Sequence, residues 1–308
     1  MYHFYGIYTP VITPFRDDFS IDETAYANII ERLISDGVHG IIIAGTTGEY
    51  YAQSMDERIR MLECGCEIIN RRLPVIGGTG AIRTEDSIAL AKAAKQAGVD
   101  AILVATPPYA QPTGRENALH ALSVQRAADL PAMLYNYPGR MAAPMDEDFL
   151  DRIGQAPAFC AIKESSGDIN RLHLLARQYP QIALSCGMDD QALEFFAWGA
   201  ESWVCAASNF AASAHIALWK ACVVDNNFIK GRRIMTAMLP LMQALEQGGK
   251  FVQSIKYGVS RQGISAGPPR APLRPLNKDD KRILDQVIDT MNTTIDRIEK
   301  EKATEKEN

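Results

Sequence analysis

Short apolar segments alternate with amphipathic segments along the first two thirds of the chain. Each apolar segment is almost free of polar interruptions, which is typical of strands that are covered on both faces. Eight such segments occur, at residues 6–13, 40–45, 73–78, 100–105, 131–136, 158–163, 182–187 and 201–206. The segments between them, such as residues 22–37 and 84–98, show the apolar spacing of helices and end at glycine. The pattern therefore predicts eight β-strands alternating with α-helices.

This alternation favours a (β/α)8 TIM barrel, because eight units within roughly 215 residues suit the usual size of that fold. A doubly wound open sheet is the alternative, weakened because no G-x-G-x-x-G motif follows the first strand. After residue 206 the pattern predicts helices only, at residues 208–224, 226–247, 250–263 and 278–300. We expect a barrel over 1–224, a C-terminal helical extension over 225–300 and a charged, disordered tail over 301–308.

Composition narrows the class of protein. The chain has 308 residues and a net charge of −5, without a basic run or an apolar run long enough to span a bilayer. We therefore expect no nucleic-acid or membrane partner.

The N-terminal segment lacks the cationic start of a signal peptide, and six scattered cysteines suit reduced thiols, so a cytoplasmic protein is expected. Five dispersed histidines have no carboxylates at ligand spacing, so we expect neither a metal nor a cofactor.

One lysine closes an apolar strand. Lys163 ends the segment at residues 158–163, and side chains at the carboxyl ends of barrel strands build the active site of this fold. Burial at such a position depresses the pKa of an amine and supplies the neutral nucleophile that attacks carbonyl groups. A Schiff base with a 2-keto acid would then provide an electron sink. A solvated surface lysine explains the position alone equally well.

Other polar residues follow the predicted strands at the same rim. Tyr135 has a hydroxyl that can relay protons, the Thr46–Thr47 turn can hold a carboxylate, and Arg140 can bind a second anion. Tyr109 follows the fourth strand beside two prolines. Each also has a simpler explanation: barrel packing for Tyr135, a tight turn for the threonines, a surface position for Arg140 and loop structure for Tyr109.

Seven motifs together resemble the dihydrodipicolinate synthase / N-acetylneuraminate lyase superfamily, over residues 4–300. They are TPVITPF (9–15), GTTGE (45–49), TPPY (106–109), YNYPGR (135–140), IKESSGD (162–168), SCGMDD (185–190) and VCAASN (204–209). The resemblance implies that Lys163 forms the Schiff base and that Tyr135 shuttles protons at the imine. Thr46 and Tyr109 resemble its relay partners, Tyr109 being supplied by a neighbouring subunit. A homotetramer built as a dimer of dimers is implied as well.

The resemblance also implies how a small keto or imino acid is bound. Thr47 resembles the residue that holds the keto-acid carboxylate, and Arg140 the arginine that binds the second substrate's carboxylate in the synthases. Gly187 and Val204 match positions whose backbone groups line the pocket.

The superfamily covers several reactions. IKESSGDINR, ESWVCAASN and FVQSIK resemble the branch that deaminates 1-pyrroline-4-hydroxy-2-carboxylate to 2,5-dioxopentanoate in hydroxyproline breakdown, and this is the preferred interpretation. The alternative is 4-hydroxy-tetrahydrodipicolinate synthase, which condenses pyruvate with aspartate semialdehyde, and which Arg140 and the Thr46–Thr47 turn favour. A non-catalytic barrel that senses a keto acid is the third hypothesis, and the set of Lys163, Tyr135 and Thr46 argues against it.

Overall fold

The computed structural model describes residues 2–246 and 248–305, with side chains up to residue 301. Within these residues, eight parallel strands close into a barrel in chain order, and the last strand pairs with the first. The strands are β1 (Gly6–Pro10), β2 (Gly40–Ile43), β3 (Val75–Gly78), β4 (Ala101–Ala105), β5 (Ala132–Asn136), β6 (Phe159–Glu164), β7 (Ala183–Cys186) and β8 (Ser202–Val204). Each strand overlaps a predicted segment, and the predicted TIM barrel is confirmed.

Helices follow the strands and surround the barrel. They are α1 (Glu23–Ser35), α2 (Met55–Ile69), α3 (Thr84–Ala97), α4 (Gly114–Ala128), α5 (Pro138–Met141), α6 (Glu147–Ile153), α7 (Ile169–Gln178), α8 (Ala192–Ala197), α9 (Ser208–Trp219), α10 (Phe228–Glu246), α11 (Phe251–Ser260) and α12 (Lys278–Glu305). A π-helical turn, Lys220–Val224, continues α9. Local sequence sets several helix ends: Ser54 and Glu57 form a capping box at α2, and Gly98 ends α3 with a φ of 90°.

The strands separate two layers of apolar packing. In β2, Ile41 and Ile43 face the cluster shared with the helices, whereas Ile42 belongs to a second cluster with Tyr8 and Leu103. Alternate side chains of a strand point to opposite faces, so the second cluster fills the barrel interior. This packed interior closes the barrel below its carboxyl end, where side chains can surround a small molecule.

The C-terminal extension shares the barrel's core. Ile234 and Met238 of α10 pack with Leu284 and Ile288 of α12 in the same buried cluster as the barrel helices. Helix α12 continues to Glu305, which corrects the predicted helix end at 300 and the predicted disorder over 301–305; residues 306–308 lie outside the described residues.

Ion pairs explain why α12 continues after its apolar pattern has ended. Lys230 pairs with Glu299 and Arg233 with Glu301, each at 2.5 Å, so charged side chains of α10 attach this end of α12. Hydrophobic periodicity does not reveal such pairs, because they join charged residues that lie far apart in the sequence.

The connector between α11 and α12 attaches the extension to the first βα loops. Gly267 has a φ of 64°, and a Cβ there would lie 1.7 Å from the carbonyl oxygen of Phe15, so only glycine fits this crossing. Arg270 contacts Glu57 with two guanidinium hydrogen bonds of 2.5 and 2.7 Å and lies over the Phe15 ring at 4.2 Å. The extension is thereby held beside the carboxyl end of the barrel.

Candidate active site

Lys163 is the penultimate residue of strand β6. It pairs in register with Tyr135 of β5 and Ser185 of β7, and its side chain lines a cavity at the carboxyl end of the barrel. Burial lowers the pKa of Lys163 to about 8, although the negative charges of Asp189 and Glu246 oppose this shift. At pH 7 roughly a tenth of such amines are neutral, against less than about one in a thousand for a solvated lysine. The amine is therefore prepared for nucleophilic attack.

Tyr135 lies directly beside this amine. The Nζ atom of Lys163 is 4.2 Å from the centroid of the Tyr135 ring. Burial raises the pKa of Tyr135 to about 12, while the charge of Arg140 and a hydrogen bond with Thr46 act in the opposite direction. The hydroxyl stays protonated at neutral pH, so it can donate a proton next to Lys163 and receive one back.

The turn after β2 presents Thr46 and Thr47 to the same cavity. It is a 3₁₀ turn that ends at Glu49, which adopts a left-handed conformation with a φ of 58°. Gln53 donates a 2.6 Å hydrogen bond to the Gly48 carbonyl and so closes the turn from the outside. Two adjacent hydroxyls on a turn held in this way can hold a carboxylate.

A buried ion pair holds the Thr46–Thr47 turn in position. The Nζ atom of Lys256 in α11 lies 2.6 Å from Glu49, and both side chains are almost fully buried. The backbone N–H of Arg270 donates a 3.0 Å hydrogen bond to the same carboxylate. The C-terminal extension thus sets the position of a turn that is more than 200 residues away in the sequence.

Arg140 belongs to the short helix α5 that follows β5. Its guanidinium carbon lies 5.3 Å from the centroid of the Tyr137 ring and 5.7 Å from that of Phe251, and the side chain lines the cavity. Aromatic rings on two sides hold a guanidinium that can bind an anionic or hydroxyl group.

Gly187, which follows β7, and Val204, the last residue of β8, also line the cavity. A Cβ at Gly187 would lie 2.1 Å from the Ser165 hydroxyl and 2.7 Å from Cγ of Lys163. The glycine therefore leaves the space through which the lysine side chain reaches the cavity. Seven of the eight predicted site residues line one cavity: Lys163, Tyr135, Thr46, Thr47, Arg140, Gly187 and Val204.

Tyr109 is the exception. It is 90% exposed, has a φ of 74° and does not line this cavity in the single chain. Its action from a neighbouring subunit stays a prediction.

Asp189, Glu246 and Phe251, to which the sequence pattern assigned no role, also line the cavity. Burial raises the pKa of Asp189 to about 7, with Glu246 adding to the shift, while a 2.8 Å hydrogen bond from the Trp203 indole and the charge of Lys163 oppose it. Asp189 lies within the SCGMDD motif, three residues after the end of β7, which was an available signal.

Glu246 and Phe251 come from α10 and α11, where no strand-end rule points to a site. Burial raises the pKa of Glu246, although the positive charges of Arg140 and Lys163 oppose this. The cavity therefore combines two cationic and two acidic side chains with the hydroxyls of Tyr135 and the threonine turn. Among the described residues, no group of three or more histidine, cysteine or acidic side chains is arranged to hold a metal ion.

Comparison with known proteins agrees with this geometry. The family model of the dihydrodipicolinate synthetase family matches residues 3–291. The chain belongs to the dihydrodipicolinate synthetase family. This membership confirms the predicted enzyme class, a Schiff-base-forming lyase or synthase, and so disfavours the non-catalytic sensor.

Individual members of the dihydrodipicolinate synthetase family match nearly the whole chain. The 4-hydroxy-tetrahydrodipicolinate synthase of Bacillus velezensis is 32% identical over 289 residues, which cover 92% of this chain and 98% of that protein. The structure of the 4-hydroxy-tetrahydrodipicolinate synthase of Methylacidiphilum fumariolicum superposes with a TM-score of 0.91 at 27% identity, covering 96% and 99% of the two chains. These names correspond to the alternative reaction and not to the preferred deaminase.

A further relative has been solved with a ligand. It is a prophage protein of E. coli K12 from the dihydrodipicolinic acid synthase family, in complex with pyruvate. It superposes with a TM-score of 0.86 at 27% identity, covering 94% of this chain and 99% of that one.

Proposed function

We propose that Lys163 forms a Schiff base with the carbonyl carbon of a small 2-keto acid, or with the C=N carbon of a cyclic imino acid. The observation that carries the proposal is the desolvated Lys163 amine in a cavity that also holds the Tyr135 hydroxyl. A neutral amine and a protonated phenol side by side are the two groups that imine formation needs. The pyruvate complex of the E. coli relative supports a 2-keto acid as the first substrate.

The chain's own residues account for each step of adduct formation. The lone pair of Lys163 attacks the carbonyl carbon, and the carbonyl oxygen takes up two protons and leaves as water. With a cyclic imino acid the ring C–N bond breaks instead, and the ring nitrogen takes up the protons and stays on the substrate as an amine. Tyr135 donates a proton to that oxygen and recovers one from the nitrogen through Thr46, with which it is hydrogen bonded. Thr47 and the turn amides hold the carboxylate beside the reacting carbon.

The first candidate reaction is the condensation of pyruvate with aspartate semialdehyde. The names of the relatives from Bacillus velezensis and Methylacidiphilum fumariolicum support it. Arg140 supports it too, because a guanidinium in the cavity can bind the carboxylate of the aldehyde.

The second candidate reaction is the deamination of 1-pyrroline-4-hydroxy-2-carboxylate. It consumes one water in total and gives ammonia and 2,5-dioxopentanoate. The observation in its favour is Glu246, an acid that shares the cavity with Arg140. In this reaction Arg140 faces the 4-hydroxyl end of the substrate.

We also propose a cytoplasmic homotetramer. The six cysteines are unpaired, which supports a reducing compartment. The exposed Tyr109 supports a subunit interface, since a tyrosine that is 90% exposed in one chain is free to contact a neighbouring one. No helix among the described residues has the length and apolar character needed to cross a membrane.

Borohydride trapping tests the Schiff base. Wild-type protein incubated with pyruvate and borohydride should gain the mass of the reduced adduct on the peptide that carries Lys163, and Lys163→Ala should gain none. The peptide that carries Lys256 is the matched control within wild type: burial lowers the pKa of Lys256 to about 8 as well, but the residue lies outside the cavity, so this peptide should gain no adduct. An adduct on any other lysine in an active preparation contradicts the proposal. Ammonia release and pyruvate consumption, assayed side by side, separate the two reactions.

A further inference from the structure

The side of the cavity built by helices carries opposite charges. Arg140 from α5, Glu246 from α10 and Phe251 from α11 line it together, and we call these three residues the helical wall. The Thr46–Thr47 turn follows β2 and lines the same cavity. A substrate whose first carboxylate rests on the turn therefore has its remaining atoms in the cavity that the helical wall also lines.

The carboxylate of Glu246 can still accept hydrogen bonds from a ligand. Among the described residues its carboxylate has no hydrogen-bond partner and no ion pair within 4 Å, although it is more than half buried. It lines the cavity, and its charge acts on the pKa values of Lys163, Tyr135 and Asp189. A partly buried acid without a partner is available to a ligand.

Glu246 changes what Arg140 can bind. An isolated guanidinium attracts a carboxylate, but a carboxylate placed here also meets the acid of Glu246 in a site of low dielectric constant. Like charges in such a site oppose each other more strongly than they would in water. A neutral group that accepts a hydrogen bond from Arg140 and donates one to Glu246 meets no such opposition.

We propose that Glu246 is a specificity-determining residue that makes the helical wall a subsite for a hydroxyl group and disfavours a second carboxylate. A hydroxyl is the smallest group that both donates and accepts hydrogen bonds, so it satisfies both side chains at once. The ring of Phe251 packs against the carbon that bears it. The substrate class is therefore a 2-keto or cyclic imino acid with a hydroxyl beyond the reacting carbon. This inference rests on the proposed function, since it assumes that the first carboxylate sits beside Lys163.

The experiment compares two keto acids that extend pyruvate by one group. In 4-hydroxy-2-oxobutanoate the added group is a hydroxymethyl, and in 2-oxoglutarate it is a carboxymethyl. The half-saturating concentration of each is measured by borohydride trapping on Lys163, in wild type and in Glu246→Gln. Glu194→Gln is the control, because it removes the same charge from an exposed position of α8 outside the cavity.

Wild type and Glu194→Gln should favour the hydroxylated acid over 2-oxoglutarate by at least about tenfold, the effect of one unfavourable charge pair at this depth. Glu246→Gln should reduce the preference to within about threefold, chiefly through tighter binding of 2-oxoglutarate. A wild-type preference for 2-oxoglutarate, or an unchanged ratio in Glu246→Gln, overturns the inference.

Titration calorimetry with the same two keto acids distinguishes a failure of this inference from a failure of the Schiff-base proposal. If wild type forms no adduct on Lys163 with any keto acid, the proposed function fails. The ratio of the two calorimetric dissociation constants still tests the role of Glu246. If Glu246→Gln leaves that ratio unchanged, the proposed subsite is overturned as well.

Discussion

Lys256 and Glu49 form a buried ion pair of 2.6 Å that joins the C-terminal extension to the threonine turn of the candidate site. The side chains are 3% and 0% exposed, so neither charge has water as a substitute partner. Removing one member of such a pair leaves an uncompensated buried charge. The turn that carries Thr46 and Thr47 depends on this contact for its position.

Lys256→Met should therefore lower the free energy of unfolding by about 3–5 kcal/mol, the usual effect of breaking a buried pair. Urea unfolding measures the change. Lys250→Met is the matched control: its 2.5 Å pair with Asp280 is 43% and 25% exposed, so its loss should change stability by less than about 1 kcal/mol. Equal effects of the two substitutions would show that burial of the Glu49 pair is unimportant.

Tyr135→Phe should lower kcat by about 10²–10⁴-fold, because the positioned proton donor beside Lys163 is lost while the ring remains. The borohydride adduct on Lys163 should still form, only more slowly. Steady-state turnover and the rate of trapping measure the two effects. Unchanged turnover would leave Tyr135 with a packing role only.

The rate of adduct formation on Lys163 should rise with pH through about 8, since only the neutral amine attacks and burial lowers the pKa of Lys163 to about 8. Asp189 opposes that shift, so Asp189→Asn should move the midpoint to lower pH. Trapping rates between pH 6 and 9 provide the measurement. Glu194→Gln should leave the midpoint in place, and a midpoint that rises in Asp189→Asn would contradict the assigned electrostatics.

Arg140→Ala should separate the two candidate reactions. It should chiefly raise the KM for aspartate semialdehyde, by about 10–10²-fold, if Arg140 binds that substrate's carboxylate. It should chiefly lower kcat with the hydroxylated imino acid if Arg140 assists the departure of the hydroxyl. Arg140→Lys keeps the charge but not the planar fork, so its effect should be intermediate. Unaltered kinetics with both substrates would remove Arg140 from the site.

Tyr109→Phe should lower kcat by about 10²-fold if the hydroxyl acts in a neighbouring subunit. Tyr5→Phe, which changes another exposed tyrosine, should have no effect. Sedimentation should show an oligomer in wild type. A fully active monomer would contradict both the oligomer and the role of Tyr109.

The local sequence predicted the site residues at the strand ends well, because the carboxyl ends of all barrel strands lie at one rim. A residue that closes a buried strand must lie at the carboxyl rim, so Lys163 and Tyr135 could be placed together before their 4.2 Å contact was seen. This rule could not predict Glu246 and Phe251, because they belong to helices of the C-terminal extension and not to strand ends. These helices lie beside the barrel rim only in the folded structure. Helical periodicity identifies buried faces and not the open end of a distant barrel.

The sequence by itself determined the eight strands, their order and the rim to which Lys163, Tyr135, Arg140 and the threonine turn belong, because each depends on hydrophobic pattern and chain direction alone. Only the tertiary structure decided the electrostatics of the cavity. The depressed pKa of Lys163 and the acid of Glu246 beside Arg140 arise from burial and from charges brought together across long stretches of chain. Such contacts have no local signature, since an acid at the end of a helix has the same pattern whether it faces solvent or a substrate.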